Sequence, residues 1–201
     1  GLTWNEGVSC GGEFGPYRQS DRVGLYQENA QRLVTQGKAY YCFCPPKELE
    51  NLRQQQQTKG QSSHYSGKCR KIPPRESKKR IERRESAVLR LKVREGIVGF
   101  EDMVFGKLQI NCNEVGDFVL LRPNGTATYN FACTVDDLSM QISHVIRGEG
   151  HISNTYRQIL IYEELESATP RFAQLSTVLG KDGTKLSKRH GATSDEEYPQ
   201  K

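Results

Sequence analysis

The sequence predicts an α/β protein whose middle stretch is β-rich, and two observations carry that reading. After Gly125 apolar segments alternate between helical and strand rhythm, and near the start one helical run up to Gly37 is followed by a strand. Between them, residues 87–93 alternate apolar and charged side chains at the strand period, and further short apolar runs follow.

The segment Gly15-Pro16-Tyr17-Arg18-Gln19-Ser20 reads as a loop entering a helix, with Ser20 as N-cap. Val23, Tyr26, Ala30, Leu33 and Val34 recur at helical spacing until Gly37 stops the run. Residues 39–43 predict a strand. Pro45-Pro46 opens a short helix over 47–53, followed by a glutamine tract at 54–57. Residues 61–85 are polar, basic and broken by Pro73-Pro74, which predicts exposed irregular structure with one helix near 75–84. Short strands are expected at Phe100, 104–105, 108–110 and 118–121, and Pro123-Asn124-Gly125 is a turn. A helix over 129–137, a strand over 144–146, a helix over 153–166 and a strand over 174–179 complete the order. No internal repeat is present.

Composition bounds the function. The chain has 201 residues, 35% of them hydrophobic and 26% charged, which fits a modest core under much polar surface. No apolar run approaches the roughly 18 residues of a membrane span, and no signal peptide is evident, so no membrane partner is expected. The 29 Lys+Arg against 24 Asp+Glu leave a net charge of +5, concentrated in residues 68–84 and opposed by an acidic 195–197. A local basic field points to a polyanionic partner. Cys10, Cys42, Cys44, Cys69, Cys112 and Cys133 are too sparse for a disulfide scaffold and point to a reducing compartment. The chain starts at Gly1, so it reads as a piece of something longer.

Four constellations carry chemistry. Lys185-Leu186-Ser187-Lys188-Arg189-His190-Gly191 follows the turn 181–184 and packs cations between glycines, as a loop closing over a polyphosphate requires; a solvated charge run is the alternative. Tyr129 and Cys133 lie four apart, on one helix face. Arg147 ends a short apolar strand at its carboxyl end, where open α/β sheets bind ligands. It reads either as a two-pronged carboxylate donor or as a surface arginine capping the next helix. Cys42, Cys44 and Cys69 are three candidate thiolates for a metal, or three unconnected reduced cysteines.

The blocks Gly15-Pro16-Tyr17-Arg18-Gln19-Ser20, Val135-Asp136-Asp137 … Met140 … Ile142-Ser143-His144-Val145-Ile146-Arg147-Gly148-Glu149 and Lys185-Leu186-Ser187-Lys188-Arg189 resemble, in order, those of bacterial-type glutamyl-tRNA synthetases, class I aminoacyl-tRNA synthetases. The resemblance runs from Trp4 to about Ala192. It implies an α/β fold, part of a class I Rossmann catalytic domain interrupted by a β-rich acceptor-binding insertion. Residues 1–40 would end the first Rossmann half, 41–120 form the insertion with a zinc knuckle, and 121–201 form the second half with a KMSKS-type loop.

It further implies a glutamate–tRNA ligase that activates L-glutamate with ATP and Mg2+ and charges tRNA(Glu). Tyr129, Cys133 and Arg147 would hold glutamate, with Arg147 on its side-chain carboxylate. Lys185, Ser187, Lys188 and Arg189 would be catalytic. Val178 and Glu149 join Lys185 and Lys188 around ATP. Arg70, Lys71, Lys78 and Lys79, in the basic segment, would meet the tRNA acceptor stem; a solvated charged helix is the alternative. Cys42, Cys44, Tyr65 and Cys69 match the C-x-C … Y-x-x-x-C pattern with which some members bind structural Zn2+, and His64 is a substitute fourth ligand. Gly150 and Leu138 depart from the family, standing where many members carry an acidic residue and a histidine. The HIGH region and the anticodon-binding domain are expected outside these residues, which would leave the chain inactive alone. The complete enzyme is expected to be a monomer in the bacterial cytoplasm, or alternatively in a plastid stroma or mitochondrial matrix. The rivals are a glutamyl-queuosine tRNA(Asp) synthetase, disfavoured by the intact Lys185–Arg189 loop, and a non-catalytic synthetase-derived subunit, disfavoured by the retained Tyr129 and Arg147.

Overall fold

A computed structural model describes residues 3–60, 64–179 and 184. A 3-10 turn, Gln19–Arg22, leads into helix α1, Val23–Thr35. Ser20 lies inside that turn, where its hydroxyl bonds Asp21 at 3.1 Å, so it is not the N-cap its position suggested. Tyr26, Ala30 and Leu33 form the buried face of α1. The helix ends as a Schellman motif: Gly37 at φ 72 donates to Val34 O, and Lys38 N donates to Leu33 O. Strand β1 is Ala39–Cys42. Helix α2, Pro46–Thr58, runs through the glutamine tract rather than stopping at Arg53, because glutamine is a good helix former and its first turn is set by Pro46 at N1. Helix α3 is Pro74–Glu82.

Two sheets follow. Strand β2, Val88–Leu91, lies antiparallel between β1 and β5, Val119–Leu121. The second sheet has the order β4-β3-β7-β6, with β3 Ile97–Asp102, β4 Gly106–Asn111, β6 His144–Gly148 and β7 Arg171–Leu175. Strands β3 and β4 form a hairpin, while β3, β7 and β6 run parallel. Residues 104–105 form the hairpin turn instead of a strand. The Asp102 carboxylate accepts from Val104 N at 2.9 Å and Phe105 N at 3.0 Å, and that local bonding competes with the ladder. The last strand begins at Arg171, three residues earlier than the sequence pattern indicated, because pairing with β6 starts at His144↔Arg171.

A four-residue turn of helix α4, Cys112–Val115, follows β4; helix α5 is Tyr129–Ser139 and helix α6 is Ile152–Glu164. One core joins them: Leu33, Leu89, Leu91, Leu120, Phe131, Val135, Ile159, Leu160 and Phe172 are all buried in it. Helix α6 is buried on several sides, including Tyr156 and Ile159–Tyr162, so its sequence lacks a clean amphipathic stripe.

A buried ion pair ties the loop before α1 to α5. Arg22 Nε donates to Asp136 Oδ1 at 2.6 Å, with the two side chains 5% and 13% exposed. Arg22 also donates to Pro16 O at 2.8 Å and to the Ser139 hydroxyl. Tyr26 Oη (2.8 Å) and Gln19 Nε2 (3.1 Å) donate to the same carboxylate. Removing one member of such a pair strands the other charge, at a cost of about 3–5 kcal/mol. Asp136→Ala is therefore expected to destabilise the protein by about that amount, read as a lowered urea midpoint followed by circular dichroism; a shift under about 1 kcal/mol would show that water replaces the pair.

Candidate active site and metal centre

Strands β6 and β7 with the intervening α6 form a parallel β-α-β unit, and Arg147 stands directly across the ladder from Gln174 near its carboxyl end. Opposed residues project to the same face, so the two side chains meet above α6. Arg147 Nη2 donates to Thr155 Oγ1 at 2.7 Å and to Gln158 Oε1 at 2.6 Å. Gln174 Nε2 donates to the same Thr155 oxygen at 3.0 Å. Arg147 Nε is buried without a hydrogen-bond partner, and no carboxylate pairs with the guanidinium among the described residues.

Helix α5 presents Tyr129, Cys133 and Asp137, spaced by four along one face, to this arginine. Tyr129 is 48% exposed and stands at the helix start. Burial pushes its phenol up, Cys133 adds to that, and Arg147 opposes it. Cys133 is likewise raised by burial and by the Asp137 carboxylate. Burial also raises Asp137, against a hydrogen bond from Tyr162 Oη at 3.2 Å and the field of Arg147. Tyr129, Cys133 and Arg147 are thus neighbours at one partly exposed site, with the Asp137 carboxyl beside them.

Glu149 Oε1 accepts from Thr177 N at 2.8 Å, which braces the segment after β7 where Val178 is 67% exposed. Lys185, Ser187, Lys188 and Arg189 lie outside the described residues.

The second cluster sits at the end of β1. The sulfurs of Cys42, Cys44 and Cys69 lie within 4.8 Å of one another, with Cys44 and Cys69 at 3.6 Å. Tyr65 Oη is 3.3 Å from Cys44 Sγ and accepts from Cys69 N at 2.8 Å. Burial pushes the Cys44 thiol up to about 12, despite the Tyr65 hydroxyl beside it. Burial raises Cys42 too, but hydrogen bonds from Tyr65 and Arg90 outweigh it and hold that thiol below its ordinary value. A tetrahedral zinc at about 2.3 Å from each sulfur spaces the sulfurs about 3.8 Å apart, so the donor set fits. Tyr65 faces the sulfurs, whereas His64 sits over Gly116.

Below the cluster, Arg90 stacks on the Tyr65 ring at 4.1 Å and donates to Asp117 O at 3.2 Å. Asp117 accepts from Tyr40 Oη at 2.5 Å, Val93 N at 2.8 Å and, more distantly, Arg70 at 3.4 Å. Arg70 thus turns toward the protein and also donates to Val93 O, while Lys71, Lys78 and Lys79 are exposed and unpaired among the described residues.

The whole chain, residues 1–201, matches the model of the family described as tRNA synthetases class I (E and Q), catalytic domain. The chain belongs to this family. Similar relatives include the glutamate–tRNA ligase of Carboxydothermus hydrogenoformans, 48% identical over 202 residues, spanning 100% of this chain and 42% of the relative. The glutamate–tRNA ligase of Natranaerobius thermophilus is 46% identical and is matched over 41% of its length. This synthetase chain therefore spans about two fifths of the length of these curated relatives. Among solved structures, the glutamate-tRNA synthetase of Elizabethkingia anophelis aligns at TM-score 0.83 and 34% identity, covering 93% of this chain and 40% of that one. A glutamate tRNA ligase from Elizabethkingia meningosepticum, described as in complex with its amino acid, aligns at TM-score 0.83 and 35% identity, covering 93% of this chain and 39% of its own.

Sequence reasoning missed Thr155, Gln158 and Gln174 in this candidate site. The available signal was weak: Thr155 and Gln158 are polar residues three apart in a helix that carries several other polar residues, and Gln174 sits between apolar residues of a strand.

Proposed function

We propose that this chain is part of a glutamate–tRNA ligase and supplies its glutamate pocket. One observation carries the reading: a guanidinium at the carboxyl end of β6, held by neutral groups and with no carboxylate of its own, opens toward Tyr129. Such a group seeks a carboxylate ligand and holds it with paired, charge-assisted hydrogen bonds. The names of the relatives support glutamate as that ligand.

In the proposed reaction a glutamate α-carboxylate oxygen attacks the α-phosphorus of ATP and pyrophosphate leaves. The terminal adenosine hydroxyl of tRNA(Glu) then attacks the activated carbonyl and AMP leaves. Arg147 fixes the side-chain carboxylate, with Tyr129 and Cys133 lining the pocket. This anchors the α-carboxylate in line with the phosphorus and turns a bimolecular encounter into a positioned one. Lys185, Ser187, Lys188 and Arg189 are the groups proposed to stabilise the triphosphate, with Val178 beside the adenine and Glu149 bracing that segment. Mg2+ would enter with ATP and offset charge on its phosphate oxygens.

Residues 41–120 are proposed as an acceptor-stem insertion. Lys71, Lys78 and Lys79 would meet RNA phosphates, and Arg70 would hold the loop that presents them. Cys42, Cys44, Tyr65 and Cys69 would hold structural zinc, which cross-links β1 to the following loops and leaves no open position for chemistry.

Arg147→Ala is expected to raise the glutamate KM at least 100-fold with little change in the ATP KM, measured by steady-state glutamylation of tRNA. An unchanged glutamate KM would refute the pocket assignment. Neutralising Lys71, Lys78 and Lys79 is expected to reduce the slope of log K against log salt for tRNA by about one per lysine that contacts phosphate. An identical slope would place the RNA elsewhere. Purified protein should carry about one zinc per chain by atomic emission, and Cys44→Ser and Cys69→Ser should each lose it.

A further inference from the structure

We infer that Thr155, Gln158 and Gln174 form an electrically neutral clamp that holds Arg147 still while leaving its charge unspent, and that this clamp is what makes the pocket select an acidic side chain over the corresponding amide. The inference rests on the glutamate reading above and adds the residues that set its selectivity.

The argument is a count of donors and acceptors. A threonine hydroxyl has one proton and two lone pairs. Thr155 Oγ1 donates that proton to His151 O at 3.1 Å, so both remaining sites accept, one from Arg147 Nη2 and one from Gln174 Nε2. The hydroxyl is therefore complete, and it cannot turn away from the arginine without giving up a bond. Guanidinium only donates, so Gln158 must present its carbonyl oxygen to Arg147. That choice leaves Gln158 Nε2 buried without a partner, and the orientation of Gln174 leaves its Oε1 in the same condition. Thr155, Gln158 and Gln174 are all essentially inaccessible to water. Two orphaned amide groups at this depth are costly, and a carboxylate in place of Gln158 would have satisfied the arginine more strongly, while Gln174 acts on it only through Thr155.

The choice of neutral acceptors has an electrostatic consequence. A glutamate at position 158 would pair with Arg147 and cancel its charge before any ligand arrived. Acceptors without charge fix the guanidinium geometry without pairing its charge; Asp137 feels the arginine's field but forms no ion pair with it among the described residues, so the guanidinium stays available to an incoming carboxylate. An amide ligand offers one carbonyl and no charge, and it brings NH2 protons against a group that has only donors. The same clamp therefore gives both preorganisation and discrimination, and Thr155, Gln158 and Gln174 act as positioning residues through Arg147.

The test uses the complete protein as its source makes it, assayed for tRNA aminoacylation with glutamate and with glutamine. Thr155→Val and Gln158→Leu are expected to raise the glutamate KM about 10- to 100-fold, with kcat and the ATP KM within about threefold, and Thr155→Ser is expected to restore it. Gln158→Glu is expected to lower the preference for glutamate over glutamine, as the ratio of kcat/KM values, at least 10-fold. Melting by circular dichroism identifies a variant that fails to fold, in which case the Thr155→Ser and Gln158→Glu pair decides. A glutamate KM within twofold of the parent in Thr155→Val and Gln158→Leu, or an unchanged preference in Gln158→Glu, overturns the clamp. A parent protein whose aminoacylation does not depend on glutamate would instead overturn the underlying reading.

Discussion

The pairing of Arg22 with Asp136 holds together parts of the chain that are more than a hundred residues apart. Asp136 takes hydrogen bonds from Arg22, Tyr26 and Gln19, and Arg22 in turn holds the carbonyl of Pro16. The loop before α1, α1 itself and α5 thereby share one buried charge pair. Because α5 carries Tyr129, Cys133 and Asp137, the orientation of the pocket wall depends on this anchor. The adjacent Asp137 faces the other way, toward Tyr162 and Arg147, so two neighbouring carboxylates split into a structural role and a pocket role.

The pocket arises where the β-α-β crossover ends. Parallel strands place Arg147 and Gln174 side by side, and the helix between them returns beneath both, bringing Thr155 and Gln158 up from its first two turns. Parallel pairing requires this crossover, and the crossover brings helix polar groups to the carboxyl ends of the strands. The buried polar atoms without partners are concentrated here, in Arg147, Gln158 and Gln174, together with Asn130 on α5 and Arg90 beneath the cysteine cluster.

The cysteine cluster solves a different problem. Residues 46–82 supply few apolar side chains, and neither α2 nor α3 buries a single residue fully. Their connection to the core passes through Cys42, Cys44, Tyr65 and Cys69 and through Arg90 and Asp117 below them. Polar and sulfur chemistry here does the work that hydrophobic packing does around Leu33, Leu91 and Phe131.

The order of elements was legible in the sequence because it follows from local rules: apolar periodicity for α1 and α5, alternation for β2, and Gly37 and Pro123-Asn124-Gly125 as stops. The cysteine spacing, Tyr129 with Cys133, and Arg147 at a strand end were legible as well, since each is a residue type whose chemistry is conspicuous. The turn at 104–105 and the start of β7 were not. An aspartate bonded to turn amides and a ladder partner 27 residues away decide them, and neither leaves a local pattern. The sequence by itself determined the α/β class, the family and the chemical groups available to the site. Tertiary structure alone decided that Thr155 and Gln158 hold Arg147 with Gln174 braced on Thr155, and that Asp136 rather than Asp137 bears the buried ion pair. Hydrogen-bond partnership depends on which side chains the crossover and the helix packing bring within 3 Å, and no spacing along the chain encodes that distance.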